Sequence, residues 1–248
     1  LLGKPALKIA LEKKIISIVE KFMKSKCTLA EANAVWHKAT NYVYFPVHSD
    51  FAVGWKKSES SKFQLTKKDI KFPIGVGGMM YLHDTQAGAF KYSLGSHKLF
   101  SQYGQHLKNY PKDMRESINN NITICKGIKG DLILFDDRGF HGPDQPSNND
   151  RSVLLFDYYR NNTFGPVVVT PHYLQITDAS FLDKEQLRVL GMGASVMVSR
   201  DEYVGTRFKH NFFFNIIAWF IEHSYFYKHF KAIIKNKILN ILYLLKIK

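Results

Sequence analysis

The stretch FPVHSDFAVGW, residues 45–55, sets a histidine and an aspartate two apart among apolar and aromatic residues. In an extended strand, residues i and i+2 project to the same side. His48 and Asp50 therefore point together, either at a strand end that meets a turn or into a site that uses them. A third group comes from far along the chain: His141, just past a turn in GDLILFDDRGFHG. Two imidazoles and one carboxylate on a face of a β-scaffold form the facial triad that binds non-heme Fe(II). That triad leaves positions open for a bidentate co-substrate and for dioxygen. Arg151 heads the apolar run SVLLF ten residues after His141. An arginine buried there alone is costly and demands an anion. A neighbouring aspartate can supply it, and so can the distal carboxylate of a bound ligand, gripped by a bidentate ion pair.

These groups need rigid supports. Residues 5–26 carry Ile9, Leu11, Ile15, Ile16, Val19 and Phe22 with lysines between them, the pattern of an amphipathic helix. TLAEANAVWHKA, 28–39, predicts a second helix, with Thr28 as N-cap and Glu31 completing a capping box. The texture then changes to short β-rich runs bounded by Gly, Pro, Asn and Asp: NYVYFPVHSD, FPIGVGGMMYLHD, GAFKYSLGS, ITICKGIKGDLILFDD, RSVLLFDYY and FGPVVVTPHYLQI. Such runs predict a sandwich or a jelly-roll barrel. A hairpin between the 132–135 run and the run opened by Arg151 would bring His141 and Arg151 into one interior. GVGGMM at 75–80 fails the G-x-G-x-x-G nucleotide pattern at Met80, so its glycines read as strand or bulge features.

The chain has 248 residues, 45% of them apolar and 14% aromatic, ample for a packed core. Lys and Arg outnumber Asp and Glu by 35 to 21, a net charge of +14. Half of that excess lies in the last segment, from Arg207 onward, which argues against a nucleic-acid surface on the body. In that segment KAIIKNKILNILYLLKIK alternates lysines with Ile and Leu at helical spacing. This basic amphipathic helix suits either an anionic membrane surface or packing on the protein itself or a partner. NFFFNIIAWFIE is too short an apolar run to span a bilayer. Cys27 and Cys125 stand far apart with no metal-ligand spacing, which points to a reducing compartment. The opening LLGKPALKIALEKK lacks a signal-peptide apolar run, so a cytoplasmic location is expected, peripheral at the inner membrane face where the tail binds lipid. A start at Leu1 rather than Met reads as a trimmed copy.

Three blocks in order resemble the phytanoyl-CoA dioxygenase family of Fe(II)/2-oxoglutarate oxygenases. HSDF resembles the family's first-strand His-x-Asp, followed closely by a tryptophan, here Trp55. MMYLHDTQAGAFKYSLGSHK, 79–98, is similar to its strand and Gly-Ser-His-Lys turn, with Leu94 where members usually carry Pro. GDLILFDDRGFHG followed by Asn and Arg is similar to its distal block, with Pro143 where many members have a hydroxyl residue. The resemblance covers about residues 42–160. It implies a double-stranded β-helix, His48, Asp50 and His141 on iron, and Arg151 on the distal carboxylate of 2-oxoglutarate. Trp55 is either a core aromatic or a wall of that co-substrate site. The implied reaction consumes dioxygen and 2-oxoglutarate, hydroxylates an unactivated C–H, and releases succinate and CO2. A carboxylate at Asp50 implies hydroxylation rather than the halogenation of relatives that lack one.

The expected organisation is a helical N-terminal segment, 1–41, a mainly β double-stranded β-helix core, 42–175, and a helical, basic extension, 176–248. The expected substrate is a small molecule or a lipid- or sugar-linked metabolite, with no nucleic-acid partner and with membrane contact through 207–248. The alternative is a catalytically silent β-domain that docks on a membrane or partner through its tail. His97 reads as structural or as a neighbour of the ligands, His83 as a packing residue, and His210, His223 and His229 as polar-face residues of the tail.

Overall fold

The structure is a computed structural model that describes residues 4–50, 72–99, 103–161, 168–170, 180–192 and 197–199. Helices α1 (Lys4–Ala10) and α2 (Lys13–Met23) come first, then strand β1 (Cys27–His37). There follow β2 (Gly75–Tyr81), β3 (Thr85–Ser93), α3 (Lys112–Asn120), β4 (Ile122–Gly127), β5 (Leu132–Asp136), β6 (His141–Pro143) and β7 (Arg151–Arg160). The described remainder holds β8 (Val168–Thr170), α4 (Lys184–Val189) and β9 (Met197–Ser199).

The pairing is nested. β1 pairs with β7, the segment at His48 bridges β6 at His141, β2 pairs with β5, and β3 pairs with β4, all antiparallel. A chain folded back on itself in this way, with successive pairs falling in alternate sheets, is a double-stranded β-helix. Its two sheets have the orders β1-β7-β2-β5 and β4-β3-β6, with His48 extending the second beyond β6. The larger sheet packs one face on the helices: Val76, Leu154, Phe156 and Tyr158 meet Leu7, Ile16, Val19, Met23 and Val189. Its other face looks inward, where Met79, Tyr81 and Val153 pack with Phe90 of the smaller sheet. Gly77 is required by close approach, since a Cβ there would lie 2.2 Å from the Phe135 ring.

The N-terminal expectation needs correction at two places. The helix of 5–26 breaks at Leu11–Glu12, where Glu12 is extended and caps α2 by accepting from the Lys14 backbone N–H. Residues 28–39 form no helix. All but the last two belong to β1, and Thr28, expected as an N-cap, pairs with Tyr159. Ala, Leu and Glu favour a helix only weakly, by tenths of a kcal/mol per residue, whereas pairing along the full length of β7 gives the strand a ladder of backbone hydrogen bonds and buries its first residues. The sheet therefore extends into the segment expected to be helical. β1 also carries a bulge between Leu29 and Glu31. Before it, Cys27 and Leu29 face the helices; after it, Ala32 does, while Val35 joins the inner cluster. One extra residue reverses which face the odd-numbered side chains occupy.

Candidate metal and anion site

His48 and His141 sit directly opposite each other and exchange both backbone hydrogen bonds, His48 N–H to His141 O at 3.0 Å and His141 N–H to His48 O at 2.8 Å. Their rings fall on one side of the sheet with centroids 4.7 Å apart. Asp50, two residues on from His48, projects to the same side. Its Oδ1 lies 3.6 Å from His48 Nε2 and its Oδ2 lies 3.5 Å from His141 Nε2. The three donor groups lie within 4.8 Å of one another.

The surrounding backbone fixes which atoms face inward. His48 Nδ1 is 3.0 Å from Pro46 O, and His141 Nδ1 is 2.8 Å from Gly139 O. Each carbonyl can only accept, so each Nδ1 carries a proton and each Nε2 is the atom turned to Asp50. Burial opposes the charge on His48, but the hydrogen bond and charge of Asp50 outweigh it and raise its pKa. Complete burial dominates at His141 and holds its pKa below the ordinary value. Two imidazoles whose Nδ1 atoms are occupied by carbonyls and whose Nε2 atoms face Asp50, together with that carboxylate, form a donor set suited to a divalent first-row metal, which would displace any Nε2 proton.

Nearby groups hold these segments. Ser49, pointing away between the two ligands, donates to Arg138 O at 2.8 Å, and Asp50 N–H donates to Asp137 O at 3.0 Å. Ser96 of the Gly-Ser-His-Lys turn accepts from Phe140 N–H at 2.8 Å and donates to Ser93 O at 2.6 Å. The tie from that turn to His141 therefore runs through Ser96, not His97. Nor does His83 merely pack, since its Nε2 accepts from Ser152 N–H at 3.0 Å. Asp137 is fully buried and its carboxylate oxygens lack hydrogen-bond partners, and burial pushes its pKa well above the carboxylate range.

The same cavity, about 160 Å³, is lined by His48, Asp50 and His141 and by Arg151. The hairpin expected to bring His141 and Arg151 together does not form. β5 and β7 lie in one sheet but β2 stands between them, while His141 on β6 belongs to the other sheet, so His141 and Arg151 line one cavity from different sheets. Arg151 is 3% exposed, and among the described residues its Nε and Nη1 have no hydrogen-bond partner. Among the described residues no carboxylate pairs with it. Its neighbour Asp150 instead accepts from Trp36 Nε1 at 2.9 Å and from Ala39 N–H at 2.7 Å. Burial holds the Arg151 pKa below its ordinary value, though a guanidinium stays charged at any pH the protein meets. A buried cation with orphaned N–H groups on a cavity wall fits an anionic ligand. His37, which the sequence reading passed over, also lines this cavity and lies 2.9 Å from Arg151 Nη2. Trp55, His210, His223, His229 and the tail 207–248 lie outside the described residues. Among the described residues no helix is long and apolar enough to cross a membrane.

No family model and no curated protein matches the chain. Among solved structures it is similar to HygX from Streptomyces hygroscopicus with nickel and 2-oxoglutarate bound. Identity is 16% over 67% of this chain and 69% of that one, with a TM-score of 0.44. It is similar to EctD from S. alaskensis with bound Fe at 16% identity, over 63% of this chain and 53% of that one, with a TM-score of 0.48. A third is AviO1 from Streptomyces viridochromogenes Tue57, at 13% identity over 60% and 57% of the two chains, with a TM-score of 0.39. The chain thus spans about half the length of EctD. At TM-scores below 0.5 these likenesses assign no chemistry here.

Proposed function

We propose that the protein is an Fe(II)/2-oxoglutarate-dependent oxygenase of the phytanoyl-CoA dioxygenase type. The observation that carries this reading is one cavity lined both by a His-Asp-His donor set and by a buried arginine that no carboxylate pairs with among the described residues. His48, Asp50 and His141 would hold the metal on one face, and Arg151 would seat the distal carboxylate of 2-oxoglutarate. When bound, ferrous iron with the keto acid supplies the dioxygen chemistry that oxidises a C–H bond and yields succinate and CO2. Asp50 would balance part of the metal's charge, and the Nδ1 hydrogen bonds of the two histidines orient their Nε2 atoms toward the site. Phe90, Phe135 and Leu155 give the cavity an apolar wall. A cavity of about 160 Å³ suits a small diacid, so the substrate belongs at its mouth. That substrate is a small molecule or a lipid- or sugar-linked metabolite, and hydroxylation is the outcome favoured by a carboxylate at position 50. The tail 207–248 would serve membrane contact, which deletion and liposome sedimentation test.

The deciding experiment is anaerobic addition of Fe(II) and 2-oxoglutarate, read as a weak visible charge-transfer band. The wild type should show it and Asp50→Ala should not. Oxygen exposure should then convert 2-oxoglutarate to succinate. A folded wild-type protein that shows neither the band nor turnover, with both components in excess, is a silent scaffold and the oxygenase reading is wrong.

A further inference from the structure

Arginine buried beside a ligand site is commonly steadied by a carboxylate, which also neutralises it. Arg151 is steadied differently. Its register partner across the β1–β7 ladder is His37, and Arg151 Nη2 lies 2.9 Å from His37 Nδ1. A guanidinium has donors only, so Nη2–H donates and Nδ1 must be the bare acceptor. His37 is therefore the neutral tautomer with its proton on Nε2. A proton on Nδ1 would remove the acceptor and set two cations face to face. Burial first, and the Arg151 charge second, lower its pKa to about 4. Tyr44 backs the imidazole, with ring centroids 6.3 Å apart and planes tilted 31°.

We infer that His37 is the positioning residue of the anion clamp: a neutral imidazole that fixes the Arg151 guanidinium by one corner and leaves its Nε and Nη1 free for a carboxylate. The inference rests on the proposed role of Arg151. A carboxylate in the place of His37 would orient the guanidinium equally well, but would compete with the ligand for its charge. An imidazole orients and adds no charge. The bulge in β1 brings His37 to this wall, because without the phase reversal the odd-numbered side chains would face the helices.

The test is calorimetric titration of the Mn(II)-loaded protein, without oxygen, with 2-oxoglutarate and with pyruvate. Pyruvate keeps the 2-oxo acid head and lacks the distal carboxylate. His37→Ala should weaken 2-oxoglutarate about tenfold and leave pyruvate and Mn(II) affinities unchanged. His37→Asn, whose amide oxygen can replace Nδ1 as acceptor, should recover most of the loss. Arg151→Ala is the control for the underlying reading: unchanged 2-oxoglutarate affinity in that variant removes the clamp itself. If Arg151→Ala weakens binding and His37→Ala does not, the clamp stands and the positioning role is wrong. Equal loss in His37→Ala and His37→Asn, or a loss that extends to pyruvate and Mn(II), makes His37 a structural residue and also overturns the inference.

Discussion

The two ends of the cavity are held by different kinds of force. At the His-Asp-His end each imidazole is oriented by a carbonyl two residues away in its own segment, and the two histidines are locked opposite each other by a backbone pair. At the arginine end the side chain is oriented by a partner on another strand, in a position set by register and by a bulge. In the first arrangement the orientation of each ring is local, although the pairing of the two histidines is not. The second depends on β1 and β7 staying in phase, since a slip of one residue would turn His37 away. The difference suits the proposed loads, because a metal needs donors placed to a few tenths of an ångström while a carboxylate clamp tolerates more.

The sharpest way to separate the ends is a pair of deletions. His141→Ala should lower Mn(II) affinity by more than about 100-fold, beyond what loss of an outer partner does. Arg151→Ala should leave Mn(II) binding near wild type and weaken 2-oxoglutarate by about 100-fold. Calorimetry on both variants measures this, and parallel losses in both would show that the ends are not independent.

A smaller effect is expected from the supports. Ser96→Ala removes the acceptor of the buried Phe140 N–H and should cost about 1–3 kcal/mol in urea unfolding. It should also weaken metal binding while sparing the affinity of the metal-loaded protein for 2-oxoglutarate. Gly77→Ala, on the larger sheet, forces a methyl group against Phe135 and should cost about 1–3 kcal/mol, measured by the same midpoint.

The smallest effect lies in pH. The folded pKa of His37 is about 4, below the ordinary histidine value of 6.5. A depressed histidine pKa means the unfolded chain takes up the proton first. Its share of stability is whole above about pH 6.5 and is lost as the pH falls from there toward 4. Wild type should therefore lose more of its urea midpoint between pH 7 and pH 5 than His37→Asn does. Equal losses would place His37 in a more solvated setting than its contact with Arg151 indicates.

Much of this was legible in the chain. Short apolar runs with turn residues between them announced a β-barrel class of fold, and β2, β3, β4, β5 and β7 fall on those runs. The donor types stood out because a histidine, an aspartate and a buried arginine are expensive beside apolar residues. β1 was misread because TLAEANAVWHKA has helix-forming residues at helix-compatible spacing and its strand partner lies more than a hundred residues away. His37 was missed for the same reason: nothing in AVWHKA tells which face a residue takes after a bulge. Ser96 was overshadowed by His97, since a serine that caps a buried N–H looks like any turn serine.

The sequence by itself determined the ingredients: donors of the right chemistry, the two-residue spacing of His48 and Asp50, and apolar runs most of which read correctly as strands. Those follow from local covalent geometry and side-chain polarity, which operate within a few residues. Only the tertiary structure decided that His141 pairs with His48, that Arg151 lines their cavity from the opposite sheet with no carboxylate partner among the described residues, and that a bulge turns His37 inward. Pairing, register and burial are long-range properties, fixed by how whole strands satisfy their backbones and bury their apolar faces together.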